Sequence, residues 1–214
     1  MKGIRKLWWL CIVLGVIVIA APRVIERYAD REQERLLQAA EQREARLDPG
    51  LMASYEQLSG YLQEGAASED DDSEGGALSV PDEEGLLGII EIASIDVKLP
   101  ILEGATKENM RASAVHLSDT ASLGSFGNAA IAAHRARTTG RLFNRLDEVQ
   151  LGDKIIIHTR DQIYTYEVIN ILVVEPTDVS VLSSDGKDSL LTLITCTPLN
   201  VSTHRLIIQA KLIS

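Results

Sequence analysis

The chain has 214 residues, of which 45% are apolar, and it carries a net charge of −10. This length allows one ordinary domain together with additional segments. The acidity is uneven, because residues 1–85 carry 9 Lys and Arg against 17 Asp and Glu, whereas residues 86–214 carry 12 against 14. The sequence shows no basic patch, which argues against a nucleic-acid-binding protein because phosphate binding requires clustered Lys and Arg.

An uncharged apolar run, LWWLCIVLGVIVIAA, occupies residues 7–21 and is preceded by three basic residues. With flanking side chains that can snorkel, the run approaches the ~20 residues that a membrane-spanning helix needs. The early positive charges orient the N-terminus toward the cytoplasm. We therefore predict a cytoplasmic N-terminus and membrane anchor over residues 1–25, followed by an exported remainder. A cleaved signal peptide is the alternative interpretation.

Two polar segments follow the predicted anchor. Residues 24–47 are rich in helix-forming residues with alternating charge, which predicts a solvated helix. A second short helix is predicted over Leu51–Leu62, and together they make a helical stalk over residues 26–62. Residues 63–85 are dense in Glu, Asp, Ser and Gly, which predicts an acidic linker or a mobile lid. The acidic run Glu69–Glu74 lacks the ligand spacing of a calcium loop, so no metal site is predicted.

The composition changes at Leu86, where short segments rich in β-branched residues begin. Thr106 is expected to cap a short helix over Lys107–Ser113, and Gly140–Leu146 is expected to form a helical turn. Seven or eight short strands with few helices predict a closed or nearly closed β-barrel over residues 86–214. The predicted strands are Leu87–Ile92, Val97–Ile101, Ala129–Ala133, Lys154–Thr159, Ile163–Val174, Leu190–Thr195 and Arg205–Leu212.

The chain has two cysteines, and no disulfide is expected between them. Cys11 lies in the apolar run, whereas Cys196 ends an apolar strand near the C-terminus. A lone cysteine in an exported domain is unusual, because such domains normally pair their thiols. A nucleophile at a strand end can face a cleft while its backbone is held rigidly. The alternative is that Cys196 is a small buried apolar residue.

Four histidines are candidate partners for this thiol. His134 ends a predicted strand and precedes a polar loop, and His204 lies next to Arg205 at the start of the last strand. Chemistry alone leaves His134 and His204 as comparable partners for a cysteine. His116 follows the predicted short helix, and His158 lies inside an apolar strand, where a structural role is expected.

The combined motifs resemble those of sortases, the cell-surface cysteine transpeptidases of Gram-positive bacteria. TLITCTP at 192–198 and STHRL at 202–206 resemble the sortase catalytic signature, and NAAIAAHRA at 128–136 resembles the strand that ends in the catalytic histidine. LFNRLDEVQLGDKI and IEIASIDVKLPILEG resemble further segments of the same barrel. The resemblance covers essentially all of residues 86–214 and has features of classes C and D.

The resemblance implies a mainly β fold, a seven- to eight-stranded sortase-type barrel with short helices, preceded here by the predicted transmembrane helix and stalk. It implies that Cys196 is the nucleophile and Arg205 the electrostatic partner. It also selects His134, rather than His204, as the general acid/base. The threonines that flank the nucleophile, Thr195 and Thr197, are predicted to bind substrate.

The resemblance also implies substrates and location. The substrates would be exported proteins with a C-terminal LPxTG-like sorting signal. The acceptor would be an amine from a peptidoglycan precursor or from another surface protein such as a pilin-like protein. No cofactor is expected. The enzyme would be a single-pass membrane protein with its catalytic domain outside a Gram-positive-type cell.

Two other functions remain open from the sequence. A hydrolytic cysteine peptidase would use the same residues and would differ only in letting water resolve the intermediate. A non-catalytic, membrane-tethered β-barrel binding module would not require Cys196, His134 and Arg205 to converge.

Overall fold

The protein was analysed as a computed structural model, which describes residues 49–68, 85–137 and 140–214. These residues form eight strands and two α-helices, together with short 3₁₀ helices at Ala93–Ile95, Leu146–Glu148 and Val179–Leu182. The helices are α1 (Pro49–Ser68) and α2 (Lys107–Met110). The strands are β1 (Leu86–Ile92), β2 (Val97–Glu103), β3 (Ala114–His116), β4 (Gly127–Ala132), β5 (Lys154–Thr159), β6 (Ile163–Val174), β7 (Ser189–Thr197) and β8 (His204–Leu212).

The strands close into a barrel in the order β1-β2-β3-β4-β7-β8-β6-β5. Strand β7 lies between β4, with which it pairs in parallel, and β8, with which it pairs antiparallel. Because parallel strands end at the same edge of a sheet, the residues after β4 and the end of β7 meet on one side of the barrel.

The barrel strands have two buried faces. Leu191 and Leu193 of β7 pack inside the barrel in the main hydrophobic cluster, whereas Ile194 and Cys196 belong to a second cluster on the outer face. Successive strand residues point to opposite faces, which explains how one strand supplies both clusters. Each fully buried aliphatic side chain contributes about 1.5–3 kcal/mol, so the covered outer face is a substantial part of the core.

Helix α1 covers the outer cluster. Tyr55, Leu58 and Leu62 are at most 1% exposed and lie at a helical spacing that places them on one face. They pack in the same cluster as Ile194 and Cys196 of β7. The outer face of β7 is therefore buried under α1 rather than open to solvent.

The barrel prediction is confirmed, and the predicted bounds of β5 and β6 agree with the structure. Thr106 caps α2 as predicted, since its Oγ1 accepts a hydrogen bond from the Asn109 amide at 3.1 Å. The helix itself ends at Met110 rather than at Ser113. Strand β3 was not predicted, because three residues are too few to show a period.

The segments before the barrel are described only in part. Helix α1 extends beyond the predicted Leu51–Leu62 helix at both ends, and its buried face contacts the barrel. None of the helices in the described ranges is long and apolar enough to cross a membrane. The predicted transmembrane segment, residues 7–21, and most of the predicted linker lie outside the described residues. The boundaries of anchor, stalk and linker therefore stay predictions.

Candidate active site

The strand register shows how the segments that carry the three predicted catalytic residues lie relative to one another. The parallel ladder pairs Ala132 of β4 with Ile194 of β7. The Ala133 amide continues this offset by donating to the Ile194 carbonyl at 3.2 Å, and His134 is the next residue in the chain. The antiparallel ladder pairs Cys196 with Arg205 of β8. The register therefore makes Cys196 and Arg205 direct cross-strand neighbours, and His134 follows the end of the strand that pairs with β7 on its other side.

Cys196 is 2% exposed and lies under α1. Its thiol donates a hydrogen bond to the Leu62 carbonyl of that helix, with Sγ and O 3.5 Å apart. It forms no disulfide with any described residue. Pro198 lacks an amide donor, so the ladder cannot continue regularly beyond this strand end. The thiol thus lies at the rim of the sheet and is shielded from water by a helix.

Arg205 is 1% exposed, and its hydrogen bonds are made to neutral oxygen atoms. Nη2 donates to the carbonyl and hydroxyl oxygens of Ser59 at 2.9 and 2.7 Å, and Nη1 donates to the carbonyls of Ser202 and His204. Among the described residues, Nε has no hydrogen-bond partner and no carboxylate pairs with the guanidinium. A buried cation without a counter-charge is costly, and such groups are concentrated where negative charge must be stabilised.

His134 is covered by the backbone of α1 at Gly65. A Cβ atom built on Gly65 would lie 2.1 Å from His134 Cε1, so the absence of a side chain there lets the helix lie on the imidazole. Burial lowers the pKa of His134 below its ordinary value of 6.5. The imidazole is therefore neutral at pH 7 in this covered state.

The lowered pKa of His134 predicts a loss of stability on acidification. Between the folded pKa and 6.5 the unfolded chain binds more protons, so the free energy of unfolding falls as the pH is lowered through this window. Urea unfolding between pH 7.5 and 5.5 measures this slope. We expect a smaller slope for His134→Gln than for the wild type. Equal slopes for His134→Gln and wild type would contradict a lowered pKa for His134 in the folded protein.

The two predicted substrate-binding threonines use their hydroxyls within the protein. Thr195 Oγ1 donates to the Ala133 carbonyl at 2.9 Å, and Thr197 Oγ1 accepts from Arg135 Nη1 at 3.1 Å. Their role in binding substrate stays a prediction. Sequence reasoning did not identify Arg135, and its position directly after His134 was the available signal.

The other histidines occupy different surroundings. His204 pairs with Thr197 in the ladder, one level beyond Cys196, and its Nε2 is 3.3 Å from Glu175 Oε1. His116 is buried, with Nδ1 3.0 Å from a Glu103 carboxylate oxygen. Neither residue pairs with Cys196 in a ladder, and the choice of His134 as the partner of the thiol stays a prediction. In the described ranges, no group of three or more His, Cys, Asp or Glu is arranged to hold a metal ion.

Comparisons with known proteins agree with this geometry. The family profile described as Sortase domain matches residues 90–213. The chain is 26% identical over 204 residues to Sortase A of Bacillus anthracis, covering 95% of this chain and 91% of that protein. A solved Clostridium perfringens Sortase D5 transpeptidase is 35% identical with a TM-score of 0.55, covering 60% of this chain and 79% of that one. Streptococcus pneumoniae Sortase C is 26% identical with a TM-score of 0.59, covering 84% and 97%.

The matching family model over the closed barrel, together with the sortase relatives, defines a cysteine transpeptidase. The chain belongs to the sortase family. This membership favours an enzyme over the binding-module hypothesis. The solved structures that resemble the chain include proteins named Sortase D5 and Sortase C.

Proposed function

We propose that this sortase cleaves an LPxTG-like sorting signal of exported proteins with Cys196 as nucleophile, His134 as general acid/base and Arg205 as electrostatic partner. The observation that carries the proposal is the pairing of Cys196 on β7 with Arg205 on β8, with His134 two residues beyond the end of the neighbouring strand β4. A thiol, an imidazole and a buried cation on adjacent strands can act together on one carbonyl group.

Cleavage begins when the Cys196 thiolate attacks the threonine carbonyl of the sorting signal. Negative charge develops on the carbonyl oxygen, and Arg205 stabilises it from its buried position. His134, protonated at this stage, gives its proton to the leaving amine, so that the peptide bond breaks and a thioester with Cys196 remains.

Transfer reverses the proton movements of the first step. An acceptor amine attacks the thioester, neutral His134 takes the proton of that amine, and the thiolate leaves as a new amide bond forms. The amine comes from a peptidoglycan precursor or from another surface protein. The similar Sortase C of Streptococcus pneumoniae has a specificity for pilin substrates, which supports a protein amine as one acceptor class.

The substrate must replace α1, which acts as a lid in this proposal. The helix contacts each catalytic candidate through one residue, with Ser59 at Arg205, Leu62 at Cys196 and Gly65 at His134. The Ser59 and Leu62 carbonyls accept hydrogen bonds from the groups that would face the substrate carbonyl. Opening would also return water to His134 and remove the burial that lowers its pKa.

The same proposal includes the cellular location. Residues 7–21 would anchor the chain in the membrane, and the barrel would lie outside the cell, where exported substrates and cell-wall amines meet. The uncharged run with basic residues before it supports this orientation.

Product analysis tests the proposed function. The full chain is incubated with LPxTG-like peptides, with and without triglycine or a diamino acid, and the products are identified by mass spectrometry. We expect the amide with the added amine to be the main product. Free acid formed equally fast in the presence of amine would favour a hydrolytic peptidase. Absence of cleavage by both wild type and a variant with a displaced α1 would overturn the proposal.

A further inference from the structure

The residues that directly follow His134 and Cys196 are joined on the reverse face of the site. Arg135 Nη1 donates a hydrogen bond to Thr197 Oγ1 at 3.1 Å. Because side chains alternate along a strand, Thr197 of β7 points away from the face that carries Cys196, and the Arg135 side chain reaches it there. This contact therefore lies behind the proposed reaction centre.

The Arg135 side chain is only 8% exposed and is held by three different groups. Besides the bond to Thr197, Nη2 lies 2.6 Å from Asp147 Oδ2, and Nε donates to the Asn144 carbonyl at 3.3 Å. The carboxylate of Asp147 balances the charge of the guanidinium. Arg135 is thus a fixed joint between the loop after β4 and the end of β7, whereas the Arg205 guanidinium pairs with no carboxylate of the residues that the structure describes.

The contact between Arg135 and Thr197 lies just past the point where backbone pairing between β4 and β7 ends, and so next to His134 and Cys196. The last ladder pair of β4 and β7 is Ala132 with Ile194. Ala133 adds two further ties, through its amide to the Ile194 carbonyl at 3.2 Å and through its carbonyl to the Thr195 hydroxyl. His134 comes next, at the start of a loop. The hydrogen bond between Arg135 and Thr197 then links the two segments again, one residue beyond His134 and one residue beyond Cys196.

We propose that Arg135 is a positioning residue that fixes the distance and orientation between the His134 imidazole and the Cys196 thiol. It acts through Thr197 on one side and Asp147 on the other, without touching the substrate. Acyl transfer requires the imidazole to reach both thiol and leaving amine, and a misplacement of about 1 Å can cost on the order of a hundredfold in rate. The inference rests on the proposed roles of Cys196 and His134.

A double-mutant cycle tests the joint in the full-length protein. The variants are Arg135→Gln, Thr197→Val and the double variant, and Arg145→Gln is the matched control because Arg145 pairs with Glu148 in the neighbouring 3₁₀ helix. We expect Arg135→Gln to lower kcat about tenfold or more with KM within about twofold. Thr197→Val should have a smaller effect, and the double variant should be no slower than Arg135→Gln. The control should keep the wild-type kcat.

The pH profile of Cys196 alkylation by iodoacetamide supplies a second readout that needs no peptide. If Arg135 aligns the imidazole with the thiol, Arg135→Gln and Thr197→Val shift the midpoint of this profile, whereas a purely structural residue lowers only the melting temperature. Inactivity toward peptides of both the wild type and a variant with a displaced α1 would contradict the proposed function, and the alkylation profiles would still decide the positioning role.

Three results would overturn the inference. They are a kcat of Arg135→Gln within about twofold of wild type, fully multiplicative effects in the double variant, and an unchanged alkylation midpoint. If Arg135→Gln unfolds at the assay temperature, Thr197→Val decides, because it removes one hydroxyl and leaves the pair of Arg135 with Asp147 in place. An unchanged kcat and alkylation midpoint in Thr197→Val would then reject the joint.

Discussion

Replacing Cys196 with alanine is expected to abolish both cleavage and transfer of a sorting peptide, with a loss of at least about 10³-fold. The reason is that no thioester can form without the sulfur, and residues that act as one catalytic unit lose most of their effect when the nucleophile is removed. The measurement is the rate of amide product formation at saturating peptide and amine.

The second cysteine provides the matched control for this prediction. Cys11→Ala makes the same chemical change in the N-terminal apolar run and should leave the rate unchanged. A Cys196→Ala protein that retains a tenth of the wild-type activity would place the nucleophile elsewhere. His134→Ala should also lower kcat, since the leaving amine would then lack its proton donor.

A methyl group at Gly65 is expected to raise the reactivity of Cys196 by displacing the covering helix. The Cβ atom of Gly65→Ala would overlap the imidazole, lying 2.1 Å from Cε1 and 2.5 Å from Nδ1 of His134. Overpacking of this kind costs about 1–3 kcal/mol, which corresponds to an increase of roughly five- to 150-fold in the population of the state with α1 displaced. The rate of Cys196 alkylation by iodoacetamide in the full chain measures this opening.

Gly60 supplies an internal control within the same helix. It is exposed, and a Cβ atom there would meet no atom within 4 Å. Gly60→Ala and Gly65→Ala share the gain in helix propensity of about 1 kcal/mol, so their difference isolates the contact with His134. We expect Gly60→Ala to keep or lower the alkylation rate.

The source of the Gly65 effect is tested by removing the ring. In a His134→Ala background the overlap disappears, and Gly65→Ala should no longer accelerate alkylation relative to that background. Equal rates for Gly65→Ala and Gly60→Ala in the otherwise wild-type protein would show that α1 does not limit access to Cys196, and the lid proposal would fail.

The barrel could be predicted from local patterns. Strands β5 and β6 are rich in Ile, Val, Thr and Tyr and are separated by a short polar turn, so composition and alternation located them well. The three-residue strand β3 could not be found this way. It forms because its neighbours β2 and β4 supply its hydrogen bonds, and this tertiary support is invisible in a short window.

The site was predictable only as a combination of motifs. Cys196 and Arg205 occur in one segment and His134 in another, and the parallel pairing of β4 with β7 brings the two segments side by side. Nothing in the local sequence selected His134 over His204, since each follows or begins a strand. In the structure, His204 pairs with Thr197, one residue past the thiol.

The covering helix and the Arg135 joint were beyond the reach of local sequence reasoning. A helix was predicted over Leu51–Leu62, but the sequence did not show what its apolar residues Tyr55, Leu58 and Leu62 would pack against. Their burial depends on an outer barrel face that is assembled from residues more than fifty positions away. In the same way, the role of Arg135 depends on Thr197, which the sequence places far from it and the fold places within 3.1 Å.

The mass of the intact protein after brief exposure to an LPxTG-like peptide, without added amine, tests the central claim most directly. The account predicts an adduct of the acyl portion of the peptide on Cys196, located by peptide mapping, cleaved by hydroxylamine and absent from Cys196→Ala. Cleavage of the peptide with no adduct, or with an adduct on another residue, would contradict thioester chemistry at this site.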